Sequence, residues 1–123
     1  MELFDATQIA LERALQGSSL RQRVLSNNLA NANTPGFKRS DVDFHESLAR
    51  ELQAGGSARD ALERVSFAPV TDTSSSMRAD GNNVDVDEEM SLLQENSLEY
   101  QSLVTIARAR IMMLKTAIGG AGA

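Results

Sequence analysis

The chain has 123 residues with no cysteine, no tryptophan, one tyrosine and four phenylalanines, 41% apolar residues and a formal net charge of −5. That charge and the shortage of stacking aromatics argue against nucleic-acid binding, which needs a basic footprint. The missing cysteines exclude disulfides, thiolate metal sites and a cysteine nucleophile. One small domain rich in Leu, Ala, Val and Met suits helix-on-helix packing better than a β-sandwich, and a lone copy is expected to be marginally stable.

Met1-Glu2-Leu3-Phe4-Asp5 is acidic where a signal peptide is basic, and no long apolar core follows it. Export through a cleaved signal peptide is therefore not expected. No run approaches the ~18 apolar residues of a membrane span.

Residues 3–33 predict a first long helix. Phe4, Leu11, Leu15, Leu25, Leu29 and Ala32 recur at three-four spacing, with Ala10, Ala14 and Val24 beside them. Gly17-Ser18-Ser19 weakens the middle, by roughly 1 kcal/mol for the glycine, and predicts a kink or a close small-residue contact. The helix ends in SNNLANANTPGFK, residues 26–38, with four asparagines between Asn27 and Asn33. Asparagine is a poor helix former because its amide competes for nearby backbone groups. Asn33 serves as a C-cap, and Thr34 must leave the α region because Pro35 follows. Asn27 and Asn31 lie one turn apart with Asn28 beside them. Each amide has two donors and an acceptor, so Asn27 and Asn31 are expected to bond a neighbouring segment while Pro35-Gly36 turns the chain away. A cuff at a subunit contact and a plain polar helix end both stay open.

The middle, residues 36–83, lacks the apolar content for a core of its own. Asp43 with Glu46 resembles a capping box ahead of a short helix whose face is Phe44, Leu48 and Leu52. Ser57 is placed to cap another helix running to Val65. Ser66 to Val70 reads as extended, and 71–76 and 80–83 as turns. This segment is expected to hug the helices or to order on a partner.

Residues 84–118 predict a second long helix. Val86, Met90, Leu93, Ser97, Tyr100, Val104, Ala107, Ile111, Leu114 and Ile118 alternate steps of four and three, a heptad seam expected to pack on the first helix. Acidic side chains from Asp85 to Glu99 come early and Arg108, Arg110 and Lys115 late, which complements the helix dipole. Gly119 and Gly120 are expected to end it. The two helices would be roughly 45 and 50 Å long. The expected fold is all-α, an antiparallel coiled-coil-like pair formed by 1–35 and 84–123, with an irregular middle.

No reactive constellation emerges. His45 has no nucleophile or orienting partner nearby, and Asp80 to Asp85 puts its glycine too early for a calcium loop. The acidic run 85–89 suits a helix N-terminus, and the Met112-Met113 face lacks the basic flank of a membrane-surface helix. No catalytic residue, cofactor or metal site is expected.

SNNLANANTPGFK resembles the N-terminal signature of bacterial flagellar rod, hook and hook-associated proteins, through Ser26, Asn27, Asn28, Ala30, Asn31, Thr34, Pro35, Gly36, Phe37 and Lys38. Gly81-Asn82-Asn83-Val84-Asp85-Val86-Asp87, followed by Glu89-Met90, Asn96, Leu98, Tyr100 and Gln101, is similar to the proximal-rod branch. The resemblance covers roughly 80 residues at the two ends. It implies a structural subunit of the basal-body rod, crossing the periplasm around the export channel and exported by the flagellar type III apparatus. Implied partners are copies of itself, other rod proteins, the rod-base adaptor and the inner-membrane ring. The implied assembly interface is Asn27, Asn28, Asn31, Thr34, Pro35 and Gly36 with Met90, Leu93, Tyr100, Val104, Ile111 and Leu114. A helical-hairpin adaptor or secretion-associated chaperone is the alternative; it would use the same heptads but fold stably alone.

Overall fold

The computed structural model describes residues 2–121. Two helices dominate it, α1 (Glu2–Ala30) and α4 (Val86–Ala121), and between them lie β1 (Ser40–Asp41), α2 (Phe44–Gln53), α3 (Ala58–Arg64) and β2 (Val70–Thr71). α1 packs chiefly on α4, with α2, α3 and β1 against its other side. Side-chain bonds link Asn28 to Glu89 and Ser18 to Asn96, so the partner number rises as the α1 number falls. The pair is antiparallel.

α1 stops about one turn before the predicted end. After Ala30 the backbone tightens, with the Thr34 N–H on the Asn31 carbonyl at 3.0 Å and that of Phe37 on Thr34 at 3.2 Å. Gly36 then takes φ 75°, a conformation costly for any residue with a Cβ. The helix runs unbroken past Gly17, so the weak spot is a small-residue contact and not a kink. A Cβ on Gly17 would sit 3.4 Å from Phe44 Cδ2 and 3.5 Å from Phe67 Cε1. Those two rings pack together at 5.4 Å over Gly17, where a Cβ would make ordinary contact. Phe4 is predicted on the buried stripe, but its side chain lies outside the described residues.

The middle segment hugs the helices. Asp43 caps α2 by accepting the Glu46 N–H at 2.9 Å. Ser57 and Asp60 cap α3 reciprocally, at 3.1 and 3.0 Å. Arg13 of α1 reaches the far end of α3, bonding the Leu62 and Glu63 carbonyls at 3.1 and 3.2 Å. Cations suit that terminus. β1 and β2 form a two-residue antiparallel ladder, Ser40 opposite Thr71 and Asp41 opposite Val70. The apolar core is small: Leu11, Leu25 and Ala32 of the N-terminal arm, Val42, Ala61, Leu62 and Val65 of the middle, and Val84.

α4 departs from expectation twice. Asp85 caps it, accepting the N–H groups of Asp87 and Glu88 at 3.0 and 3.1 Å. At its other end it continues through Gly119 and Gly120, neither of which takes a positive φ. Nothing packs within 4 Å of where their side chains would be, so no contact forces a turn there.

The second departure concerns its orientation. The apolar seam lies at the edge of the α1 contact and not under it: Met90 is 44% exposed and Tyr100 41%, while Leu93, Ser97, Val104 and Ala107 sit half-buried, and Ser97 accepts from Gln22 of α1. From Ile111 to Gly120 every residue is exposed, whichever face of the helix it occupies. What faces α1 is the row of Glu89 and Asn96, 0% and 1% exposed, then half-buried Leu103 and Arg110. Within the seam, Ala107 stands about 20° from Asn96 around the helix, Tyr100 about 40° and Ser97 about 100°. Glu89 and Asn96 go inward because Asn28, Arg39, Ser18 and Gln22 give them partners, and the apolar row is left at the edge of the contact.

Candidate assembly surface and the asparagine clasp

The end of α1 and the segment before α4 hold each other through side-chain amides. Asn28 is buried one turn beyond Leu25. Its Nδ2 donates to the Ser40 carbonyl at 2.6 Å, and its Oδ1 accepts the Ser40 N–H at 3.0 Å, as a β-strand neighbour would. The same Nδ2 lies 3.1 Å from Glu89 Oε2, and Arg39 Nε donates to Glu89 Oε1. One asparagine therefore joins α1, β1 and α4.

Asn82 and Asn83 complete the arrangement from the other side. Asn82 Nδ2 donates to the Asn31 and Thr34 carbonyls at 2.9 and 2.8 Å, and its Oδ1 accepts the Val84 N–H at 2.7 Å. Arg78 takes the Ala32 carbonyl. The Asn31 and Thr34 carbonyls, already bonded by turn N–H groups, thereby gain a second donor, and the Ala32 carbonyl past the helix end gains one from a side chain. Asn83 Oδ1 accepts the Arg39 N–H at 2.6 Å, and its Nδ2 donates to Asp72 at 2.7 Å. Gly81, at φ 83°, crosses close to Gly36; a Cβ on it would meet Gly36 Cα at 3.5 Å. Both glycines serve the clasp through their positive φ, which a residue with a Cβ adopts only at a cost.

Asn27 and Asn31 were expected to reach a neighbouring segment, and within the chain their amides do not. Asn31 Nδ2 returns to the Asn27 carbonyl at 2.8 Å, and its Oδ1 accepts from Thr34 at 3.1 Å. Asn27 is exposed and Asn31 half-buried. Asn28 points inward because it shares the face of Leu25 and Ala32, three and four residues away; 27 and 31 lie on the next face. Asn31 still serves the clasp, through its carbonyl. Thr34, Pro35 and Gly36 are exposed on the turn.

Around Arg39 lies a charged cluster that sequence spacing did not disclose. Arg21 grips Asp41 with two bonds, 2.8 and 3.0 Å. Arg39 lies between Glu89, Asp41 and Asp72, the last two at 3.7 Å. Burial pushes the Asp41 carboxyl up, but the Arg21 hydrogen bond, the Val42 N–H and the charges of Arg21 and Arg39 outweigh it and hold it below the ordinary 3.8. Asp72 is held well below the carboxylate range, first by the Ser75 hydroxyl and then by the Ser74 N–H and hydroxyl. The one clue in the sequence was heptad spacing: Glu89 and Asn96 match the seven-residue steps of Leu11, Ser18, Leu25 and Ala32.

Depressed carboxylates stabilise the fold above their ordinary pKa and cease to as pH falls through the folded value. The melting temperature is therefore expected to be level from neutral pH down to about pH 4 and to drop below it. Asp41→Asn should flatten that drop. A circular dichroism melt series checks it.

Among the described residues no cluster of His, Cys, Asp and Glu is placed to hold a metal. His45 is exposed, its Nε2 3.9 Å from Glu99. Among the described residues no helix is long and apolar enough to cross a membrane.

A family model described as flagella basal body rod protein matches residues 7–38, most of α1 and the first half of the clasp. The similarity extends further in individual relatives. The flagellar basal body rod protein FlgB of Bacillus subtilis (strain 168) is 35% identical over 127 residues, covering 98% of each chain. The chain belongs to the FlgB family of flagellar basal body rod proteins. FlgB of Aeromonas hydrophila is 35% identical over 87% of this chain and 88% of its own. FlgB of Escherichia coli (strain K12) is 29% identical over 90% and 91%. Membership makes the chain a structural component of the basal-body rod, as the signature asparagines and the heptad helix imply. In this FlgB-family chain the two signature stretches, 26–38 and 81–87, are the two halves of one intramolecular clasp.

Proposed function

We propose that the chain is a subunit of the proximal rod, packing through the outer row of α4 into the shaft that crosses the periplasm around the export channel. The observation that supports this best is the apolar heptad row Met90, Leu93, Tyr100, Val104, Ile111 and Leu114, in which Met90, Tyr100, Ile111 and Leu114 are exposed and Leu93 and Val104 half-buried. A heptad row exists to be buried against another helix, and α1 has spent its inward face on a different row. Copies of the chain and other rod proteins supply the covering helices. The clasped turn at Thr34, Pro35 and Gly36, with Asn27 and Asn31 beside it, forms the second contact, held rigid from beneath by Asn28 and Asn82. The rod-base adaptor and inner-membrane ring are the neighbours at the near end. The chain reaches its place through the flagellar type III apparatus, and a small, largely polar core suits a subunit that travels unfolded.

Cells lacking the chain are expected to be non-motile. Their basal bodies should retain the inner-membrane ring and lack all distal rod and hook, and expression of the chain in trans should restore both. Complete hooks in the null strain would contradict the proposal.

A further inference from the structure

Burial alone favours a different helix pair from the one observed. α4 buries Glu89 and Asn96 against α1 and leaves Met90 and Tyr100 of its apolar row partly exposed at the edge of the contact. A roll of roughly 40–60° would bring Tyr100 and Leu93 to where Asn96 sits. Something must oppose that roll, and the described contacts show what does.

Half-way along the seam Asn96 is held by three bonds. Its Nδ2 donates to the Ser18 carbonyl at 2.9 Å and to Gln22 Oε1 at 2.7 Å, and its Oδ1 accepts the Ser18 hydroxyl at 3.2 Å. Gln22 in turn donates to the Ser97 hydroxyl at 3.3 Å. Ser18 and Asn96 are both buried. Above and below them on α1 stand Leu25 and Leu11, which offer an amide nothing. Any roll or slide that moves Asn96 off Ser18 buries its amide without partners, or empties it into solvent and opens the seam. We infer that the Ser18–Gln22–Asn96 rung is an alignment lock, holding α4 in the rotation that seats Asn96 on Ser18 and keeps its apolar row at the edge of the helix contact. A single buried polar position that fixes register at a cost in stability is a known device of helix pairs. The Asn28–Glu89–Arg39 clasp pins one end of the pair. The rung, seven residues further along α4, pins the rotation of the part that lies beyond the clasp. Asn96 is thus a positioning residue. What the outward row is for rests on the assembly reading; the alignment itself does not.

The chain has no cysteine, so single cysteines report on orientation cleanly. Tyr100→Cys lies on the outer row and Leu103→Cys on the inner one. In the otherwise native chain a maleimide should label position 100 at least about ten times faster than position 103, as expected where one site is open and the other needs local opening. Asn96→Leu is close to isosteric and strands nothing: the Ser18 hydroxyl can bond its own helix and Gln22 can turn to solvent. In that background the two rates should converge to within about threefold, a loss of most of the contrast. A second background, Ser18→Ala with Gln22→Ala, removes the partners and leaves Asn96; the same convergence is expected. Retention of the native contrast in both backgrounds would overturn the inference. So would loss of helical circular dichroism in both, because the rung would then be holding the fold together, not choosing its alignment. These readouts come from the isolated chain and stand whether or not it assembles.

Discussion

Glu89→Ala is expected to cost about 3–5 kcal/mol, a large part of the ~5–15 kcal/mol that holds a domain folded. Glu89 is buried, with one carboxylate oxygen on Arg39 and the other on Asn28. Alanine leaves the Arg39 guanidinium, a tenth exposed, with carboxylates no nearer than the 3.7 Å of Asp41 and Asp72. Asn28 keeps Ser40 but loses α4. The clasp then ties the end of α1 only to the segment before α4, through Asn82 and Arg78, and the helix pair should fray from that end. Removing both charges with Glu89→Leu and Arg39→Met should recover much of the loss, since a buried ion pair exchanged for apolar groups is often close to neutral. Urea titration followed by circular dichroism measures both. A Glu89→Ala chain within about 1 kcal/mol of the parent would mean that the ion pair is structurally idle.

The second large effect is on assembly and leaves the isolated chain alone. Ile111 is mostly exposed, so Ile111→Asp should change the stability of the free subunit by no more than about 0.5 kcal/mol, as surface substitutions usually do. In the rod the same position lies under a neighbouring helix on the proposed reading. A carboxylate buried there without a partner is penalised by several kcal/mol, repeated in every copy. Motility should be lost while expression, export and the melting curve stay normal. Glu95→Lys, on an exposed position of α4 off the outer row, should swim. An Ile111→Asp strain that swims like its parent would remove the outer row from the interface.

The sequence displayed the two long helices clearly, and the reasons are local. Apolar spacing defines α1, sustained heptads define α4, and Asp43 and Ser57 mark the short helices by side chains that bond within three residues. Two kinds of information were not legible. One is pairing across distance: nothing near Asn82 says that its amide closes the end of α1 about fifty residues earlier, and a two-residue ladder such as β1–β2 leaves no periodic trace. The other is the facing of α4. Reading apolar rows as buried rows assumes that the chain buries its own hydrophobic surface. Here Glu89 and Asn96 are buried because they have partners, and the Met90-to-Leu114 row is left partly exposed beside them. The asparagine stretch was legible in kind but not in detail. A clamp was expected, and a clamp is there, but its amide is that of Asn28, on the Leu25–Ala32 face, and not those of Asn27 and Asn31.

The most direct test of the account is a density map of the assembled basal body at a resolution that shows side chains. The account predicts that Met90, Tyr100, Ile111 and Leu114 of each copy are covered by helices of neighbouring subunits, while Asn28, Glu89, Arg39 and Asn82 remain paired within the copy. A map in which that row faces solvent or packs on its own α1, with Glu89 and Asn96 turned out toward a neighbour, would contradict it.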